Sequence, residues 1–221
     1  MAESVKHPKG RVEDMAAPFV VNGSVVVDVG ANIGRFSTWA AKLVGERGKV
    51  LAIEPDPRCD DKGLNQLLTT YPQVTRYRGA VGAWSRPGVA TLYQAPESAA
   101  STLIKASLIE SDQRRASTLT VPVTRLDDLI GRADLVKIDA QGMDHQVLQG
   151  AGQLLETCPA WIVECWSVGL AAAQSSPRAM WHTFLDAGFT VCFADGLVIT
   201  EDTLAQWLQT DQVFVNWLAT R

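Results

Sequence analysis

Residues 25–34 read Val-Val-Val-Asp-Val-Gly-Ala-Asn-Ile-Gly, and residues 50–54 read Val-Leu-Ala-Ile-Glu. An apolar strand that ends in a glycine turn, then a helix, then a second strand that ends in an acid, is typical of the first half of a nucleotide-binding βαβ unit. Gly30 and Gly34 let the backbone turn sharply and come close to a ligand. Glu54 can accept hydrogen bonds from both hydroxyls of a ribose. The pattern therefore predicts a ligand that contains a nucleoside.

The spacing of the glycines indicates which nucleoside ligand to expect. Dinucleotide sites favour G-x-G-x-x-G, which places helix N–H groups against a pyrophosphate. Here the spacing is G-x-x-x-G, and no P-loop lysine follows. Asp28 lies beside the turn, and an acid there suits a cationic or zwitterionic ligand better than a pyrophosphate. S-adenosylmethionine, with its sulfonium and ammonium groups, meets this requirement, and an NAD-dependent oxidoreductase is the first alternative.

Composition restricts the partners and the setting. The chain has 221 residues, a formal net charge of −4, 47% hydrophobic residues and 20% charged residues, which is ordinary for one globular domain. Lys and Arg are scattered, so we expect no nucleic-acid partner. No apolar stretch reaches the ~18–20 residues that span a bilayer, so we expect no membrane association. The four cysteines form no C-x-x-C pair, and a reducing cytoplasm is the expected setting.

The chain divides into an N-terminal arm, residues 1–22, and one domain, residues 23–221. The arm is polar, and we expect a loose segment or a short helix; its first residues lack the apolar core of a signal peptide. In the domain, apolar runs alternate with helical patterns, which predicts a parallel, doubly wound sheet. Ligands bind at the carboxyl ends of the strands in such sheets. The polar residues expected to face that crevice are Asp28, Asn32, Glu54, Asp139, Gln141 and Glu164.

Four other segments also have predicted structures. Residues 58–70 and 143–156 read as helices. The stretch Ala95–Ser117 is rich in Ala and Ser and is expected to form a mobile loop or lid, which with residues 1–20 would build the acceptor pocket. The run 119–123 alternates like a strand, and Pro122 assigns it to a sheet edge.

Several ordered motifs in the domain are similar to one known family. They are Val-Asp-Val-Gly-Ala-Asn-Ile-Gly, Ile-Glu-Pro-Asp-Pro, Leu-Asp-Asp-Leu-Ile, Leu-Val-Lys-Ile-Asp-Ala-Gln-Gly-Met-Asp, Val-Leu-Gln-Gly-Ala and Ile-Val-Glu. Together they resemble the FkbM-type S-adenosylmethionine-dependent methyltransferases over residues 23–166. The resemblance implies a class I methyltransferase (Rossmann-like) fold: a mostly parallel seven-stranded sheet with an antiparallel last strand and helices on both faces. It also implies O-methylation of a small-molecule acceptor, such as a sugar or secondary metabolite.

The resemblance assigns roles to residues of this chain by position. It places Asp28, Gly30 and Asn32 around the methionine part of the cofactor. It gives Glu54 the ribose, and it places Asp139 beside the transferring methyl group. The end of the third strand would lie near the adenine, at Ala80 and Val81.

Two residues are candidates for catalysis. Methyl transfer from a sulfonium is an in-line displacement, so the protein must align the acceptor and remove or share its proton. Asp139 ends a buried strand at the functional edge of the sheet and is the first candidate; its alternative role is to cap the following helix. His145 lies in the first turn of that helix and is the second candidate base, with a solvated surface position as the alternative.

The sequence leaves open whether a metal ion is required and whether Trp166 lines the acceptor pocket. Glu164 would act with Asp139 on a divalent metal or would bind backbone N–H groups, and Trp166 would line the acceptor pocket or pack in the core. The family usually has Glu at the position of Gln141, so a metal is not favoured. The amide of Gln141 also leaves open a second alternative, in which the chain binds S-adenosylmethionine without catalysing a reaction. The oligomeric state stays open, with a homodimer among the options.

Overall fold

The structure, a computed structural model, describes residues 10–221. Within this range the strands are β1 (Val25–Val29), β2 (Lys49–Ile53), β3 (Val74–Tyr77), β4 (Ala80–Val81), β5 (Gly88–Gln94), β6 (Ser117–Thr124), β7 (Leu135–Ile138), β8 (Ala160–Trp166), β9 (Thr190–Phe193) and β10 (Phe214–Thr220). The α-helices are α1 (Val12–Ala16), α2 (Arg35–Val44), α3 (Asn65–Thr70), α4 (Glu110–Arg115), α5 (Asp144–Gln149), α6 (Gly152–Thr157), α7 (Ser167–Ala172), α8 (Pro177–Asp186) and α9 (Glu201–Leu208). Short 3₁₀ helices cover Ala17–Phe19, Ser98–Ala100, Lys105–Ser107 and Leu126–Asp128, and a π-helical turn covers Asp60–Leu64.

Seven strands form the main sheet, in the order β3-β2-β1-β7-β8-β10-β9. Strands β3, β2, β1, β7 and β8 pair in parallel, and β10 runs antiparallel to β8 and β9. The predicted fold class is therefore confirmed. The direction of strand addition reverses at β1, between β2 and β7, and ligands of open α/β sheets bind at such a switch point.

Helices cover both faces of this sheet, which explains the apolar run of β1. Val26 packs in a core with residues of α1, α2 and α3. Val27, one position later, packs on the other face with residues of α5, α6 and α8. Because side chains alternate along a strand, a strand that is buried on both faces needs apolar residues at successive positions.

A second sheet of three strands, in the order β4-β6-β5, was not predicted. Ala80 and Val81 do not end β3; they form β4 and pair with Val123 and Thr124 of β6. The prediction that Pro122 places 119–123 at a sheet edge is wrong, because β6 lies in the middle. Strand β4 pairs only beyond the proline, so the missing proline N–H costs no bond with it.

Two predicted helices are interrupted. The helix expected over 58–70 contains Gly63 in a non-helical conformation, and a side chain there would meet the carbonyl oxygen of Ile33. The helix expected over 143–156 divides into α5 and α6 around Gly150. This glycine lies against the backbone of Gly82, where a Cβ would come within 2.0 Å of the carbonyl oxygen. Helix α7 was not predicted.

The predicted N-terminal arm is only partly described. Residues 1–9 lie outside the described range, while α1 buries Met15 and Ala16 in the core beside α2. The division at residue 22 stays a prediction. The four cysteines are free. Within residues 10–221, no helix combines the length and apolar character that crossing a bilayer needs.

Candidate cofactor and active site

A cavity that is partly open to solvent lies at the carboxyl ends of β1, β2 and β7. The lining residues are Val29, Gly30, Asn32, Ile53, Glu54, Pro55, Gly79, Ala80, Val81, Leu92, Ser98, Ala99, Ser101, Thr102, Leu103, Asp139, Ala140, Gln141 and Met143. The structure thus brings together six of the predicted cofactor residues: Gly30, Asn32, Glu54, Ala80, Val81 and Asp139.

The glycine turn after β1 uses its amide groups inside the protein. The N–H groups of Gly30 and Ala31 both donate to the carbonyl oxygen of Ile53, each at 3.0 Å. The N–H of Asn32 donates to Glu54 Oε2 at 2.8 Å. These three amides are therefore committed to the end of β2 and do not point toward a ligand phosphate.

The two glycines of the motif have packing roles that the sequence did not indicate. Gly30 has φ +74°, and a Cβ there would come within 1.8 Å of the carbonyl oxygen of Asp139. The glycine therefore permits the close approach of two loops that both line the cavity. Gly34 does not line the cavity, contrary to its predicted ligand contact. It has φ +81°, and a Cβ would come within 2.9 Å of the Leu67 side chain.

Glu54 lies in the cavity wall with only 6% of its surface exposed. Its Oε2 accepts from the N–H of Asn32, and its Oε1 accepts from the N–H of Asp56 at 2.8 Å. Burial raises the pKa of Glu54 to about 7, although the two backbone hydrogen bonds lower it. The carboxylate is thus fixed in orientation and titrates near neutral pH in the ligand-free protein.

Asp28 does not line the cavity, contrary to its predicted contact with the cofactor. Its side chain is fully buried; Oδ2 accepts from Ser37 Oγ at 2.6 Å, and Oδ1 lies 3.1 Å from Lys137 Nζ. Burial lowers the pKa of Lys137, but the carboxylates of Asp28 and Asp139 outweigh burial and raise it. Sequence reasoning missed Lys137, although a lysine within the apolar run of β7 was a visible signal.

Asp139 follows β7 and lines the cavity, with 37% of its side chain exposed. Gln141 Nε2 donates to Asp139 Oδ1 at 2.7 Å. The loop is closed by Asp144, which accepts from the N–H groups of Ala140 and Gly142. Burial raises the pKa of Asp144 to about 6. Helix α5 begins without a side-chain cap, so the alternative in which Asp139 caps it is not what the structure shows.

The structure places His145, the second candidate base, outside the cavity lining. It is 7% exposed, which excludes the solvated surface position. Its Nδ1 lies 2.6 Å from Ser175 Oγ, and its Nε2 lies 2.8 Å from Thr183 Oγ1. Burial lowers the pKa of His145. Both ring nitrogens thus connect α5 to α8 and its preceding loop.

Glu164 and Trp166 are likewise absent from the lining. The Trp166 ring instead packs against Gly169 at the start of α7, where a Cβ would come within 2.2 Å of it. Among the described residues, no group of three or more His, Cys, Asp or Glu side chains is arranged to hold a metal ion. The metal requirement stays a prediction.

Residues 98, 99 and 101–103 line one side of the cavity, within the stretch predicted to be a lid. Ser98 Oγ donates to Asn32 Oδ1 at 3.2 Å, Ser101 Oγ donates to Asp56 Oδ2 at 2.9 Å, and Thr102 Oγ1 donates to the Gln141 carbonyl at 2.9 Å. Sequence reasoning missed Asp56, although it stands in the Ile-Glu-Pro-Asp-Pro motif. The other segment expected in the acceptor pocket, residues 1–20, supplies no lining residue between 10 and 20, and its first nine residues lie outside the described range.

Solved structures of methyltransferases share this fold. An rRNA methylase from Streptococcus thermophilus is 12% identical, with a TM-score of 0.53 and coverage of 98% of both chains. A precorrin-6y C5,15-methyltransferase from Geobacter metallireducens is 13% identical, with a TM-score of 0.51 and coverage of 100% of this chain and 92% of the other. Fibrillarin from Aeropyrum pernix, solved with bound S-adenosyl-L-methionine, is 12% identical, with a TM-score of 0.50 and coverage of 91% and 68%. At these identities the likeness shows the fold alone.

The family is shown by the sequence itself. No curated protein sequence gives a significant match. The model of the methyltransferase FkbM domain matches residues 28–191, which is well over half of the chain. This range contains the glycine turn, Glu54 and Asp139. The chain therefore belongs to the FkbM family of S-adenosylmethionine-dependent methyltransferases.

Proposed function

We propose that this chain transfers the methyl group of S-adenosylmethionine to a hydroxyl of a small molecule, such as a sugar or a secondary metabolite. One observation carries the proposal: Glu54 and Asp139 face one cavity from strands on opposite sides of β1. Neighbouring strands lie about 4.8 Å apart, so two carboxylates separated by two strand spacings suit the ribose hydroxyls of the cofactor and the acceptor hydroxyl beside its methyl group.

The residues of the cavity fit S-adenosylmethionine. Glu54 has both oxygens oriented by backbone N–H groups and would accept the ribose hydroxyls. Ala80 and Val81 would contact the adenine, and Gly30 and Asn32 the methionine part. Among the described lining residues, the charged side chains are the carboxylates of Glu54 and Asp139, which favours a cationic ligand over an anionic one.

Asp139 is the residue proposed to act on the acceptor. Bound S-adenosylmethionine supplies an activated methyl group on its sulfonium. The Asp139 carboxylate would orient the acceptor hydroxyl or accept its proton, which is a role for a positioned base. Gln141 Nε2 donates to Oδ1 of this carboxylate at 2.7 Å and so restrains its orientation. An amide can orient the carboxylate in this way without serving as a metal ligand.

The first alternative, an NAD-dependent oxidoreductase, is disfavoured by the glycine turn. A dinucleotide site uses free amide groups against the pyrophosphate, whereas the amides of Gly30, Ala31 and Asn32 donate to Ile53 and Glu54. The second alternative, a non-catalytic S-adenosylmethionine-binding protein, would have the same cavity, so only turnover separates it from the proposed enzyme.

Calorimetry with S-adenosylhomocysteine, S-adenosylmethionine and NAD tests the cofactor. A ligand that binds the native state also raises the melting temperature by mass action. We expect the two adenosyl compounds to bind and NAD not to bind. Tight binding of NAD alone would overturn the cofactor assignment.

Transfer of a labelled methyl group tests the acceptor class. Hydroxyl compounds, including sugars and polyketides, form one set of reactions, and an rRNA transcript forms a parallel reaction because one structural neighbour is an rRNA methylase. We expect label in hydroxyl compounds. Label found only in RNA would refute the proposed acceptor class, and binding without any transfer across the panel would favour the non-catalytic alternative.

A further inference from the structure

Lys137 is a buried cation directly behind the cavity wall. Its Nζ donates to the carbonyl oxygen of Gly30 at 2.9 Å and to that of Val29 at 3.3 Å. It lies 3.1 Å from Asp28 Oδ1 and 3.8 Å from Asp139 Oδ2. One ammonium group therefore contacts the end of β1, the buried carboxylate of that strand, and the carboxylate that faces the cavity.

The backbone register produces this arrangement. Asp28 and Lys137 are direct partners across the parallel pair β1–β7, so their side chains lie on the same side of the sheet. Asp139 follows two residues after Lys137, and alternation along the strand returns its side chain to that side. The Lys137 side chain is 8% exposed and the Asp28 side chain is 0% exposed, so solvent screens the field of their charges only weakly.

The local charges do not cancel. Asp28 and Lys137 form a neutral buried pair, and Asp139 adds a negative charge at the cavity. A cationic ligand would be attracted by both carboxylates and repelled by the ammonium. S-adenosylmethionine carries a positive charge on sulfur that S-adenosylhomocysteine lacks, so this cluster acts differently on the substrate and product forms of the cofactor.

We propose that Lys137 sets the preference of the cavity between S-adenosylmethionine and S-adenosylhomocysteine, by offsetting the buried charge of Asp28 behind the Asp139 carboxylate. This inference rests on the proposed binding of S-adenosylmethionine in the cavity. The positive charge on sulfur disappears during methyl transfer. Excess negative charge would stabilise the charged reactant more than the transition state and would slow the reaction. Lys137 limits that excess while it also holds the Gly30 carbonyl.

The test compares the dissociation constants of the two cofactor forms, so it needs no acceptor. Calorimetry measures both constants for the parent, Lys137→Met, Asp28→Asn, the double variant Asp28→Asn/Lys137→Met, and Lys49→Met. The double variant removes the buried pair without changing the formal charge. Lys49→Met is the matched control, because Lys49 is an exposed lysine at the amino end of β2, far from the cavity.

We expect the preference for S-adenosylmethionine over S-adenosylhomocysteine to increase as the buried pair of Asp28 and Lys137 becomes more negative. At a distance of roughly 10 Å and an effective dielectric constant of about 20–40, one unit charge changes the ratio of the two dissociation constants by about 4- to 17-fold. Lys137→Met should increase the preference by a factor of this order, and Asp28→Asn should decrease it. The double variant should return within about twofold of the parent, as expected when two coupled changes compensate, and Lys49→Met should leave the ratio unchanged.

A purely structural role for Lys137 would change both dissociation constants by the same factor, so an unchanged ratio in Lys137→Met would overturn the inference. If Lys137→Met does not fold, Asp28→Asn and the double variant still differ by one charge and should differ in the ratio. Equal ratios there would also overturn it. If the parent binds neither cofactor form, the proposed function fails together with this inference, whereas binding by the parent with invariant ratios refutes only the inference.

Discussion

Cofactor affinity should depend on pH through Glu54. Burial raises the pKa of this carboxyl to about 7 in the ligand-free protein. Ribose hydroxyls donate hydrogen bonds, so the complex favours the ionised carboxylate and its pKa should fall toward the ordinary value on binding. With a pKa of about 7, roughly a tenth of the protein is ionised at about pH 6 and roughly nine-tenths at about pH 8. The affinity for S-adenosylhomocysteine should therefore rise about tenfold across this range.

Calorimetry over this pH range, in two buffers that differ in ionisation enthalpy, measures both the affinity and the protons released. Glu54→Gln is the control, because it keeps the size of the side chain and removes its titration. The amide can accept from only one of the two backbone N–H groups, so some loss of stability, about 1–3 kcal/mol, is expected. Titration of the ligand's own amino group is common to both proteins. If the parent and Glu54→Gln show the same pH dependence, Glu54 does not hold the ribose.

Rising pH should tighten cofactor binding through Glu54, but through the same carboxyl it should make the ligand-free fold less stable. The unfolded chain releases this proton near its ordinary pKa of about 4.3, whereas the folded chain retains it up to about 7. The contribution of Glu54 to stability therefore decreases as the pH rises through that interval. Denaturant unfolding of the parent and Glu54→Gln at several pH values would show this difference, and parallel curves would contradict it.

Three substitutions test the other assignments. Gly30→Ala places a Cβ within 1.8 Å of the Asp139 carbonyl oxygen; it should cost about 3 kcal/mol or more of unfolding free energy, and a variant as stable as the parent would refute the close approach. His145→Ala leaves the Ser175 and Thr183 hydroxyls without their partner, so the free energy of unfolding should fall by about 2–4 kcal/mol with unchanged S-adenosylhomocysteine affinity. Because burial lowers the pKa of His145, the stability that His145 contributes to the parent should be lost as the pH falls below about 6.5. Asp139→Asn should reduce turnover by ~10²–10⁴ with little change in the affinity for S-adenosylhomocysteine, which lacks the sulfonium charge, and a rate within a few-fold of the parent would remove its catalytic role.

Local patterns predicted the main sheet and six of the residues that line the cavity. The apolar run of β1, the glycine turn and Glu54 lie within thirty residues of one another along the chain, and their geometry depends on one βαβ unit. Asp139 was identified because the carboxyl ends of parallel strands meet at one edge. Such features follow from periodicity and turn chemistry, which are properties of short segments.

The corrections all come from contacts between distant segments. Asp28 reads as a ligand residue until Lys137 is placed beside it by the pairing of β1 with β7. His145 reads as a candidate base until Ser175 and Thr183 occupy its nitrogens. The sequence indicates that Gly34 belongs to a ligand-binding turn, whereas in the structure helix α3 packs against it. A single sequence does not show which polar residue finds a partner a hundred positions away.

The position of β10 constrains the order in which the protein folds. This strand, Phe214–Thr220, lies between β8 and β9, which precede it in the chain and do not pair with each other directly. During synthesis β9 has no neighbour in the sheet until β10 emerges, so its hydrogen-bonding edge stays exposed in that interval. Such an unpaired edge promotes association between nascent chains. Folding yield at physiological temperature should therefore depend on how quickly β10 enters the sheet, whereas β1, β2 and β3 already lie in sequential order and can pair early.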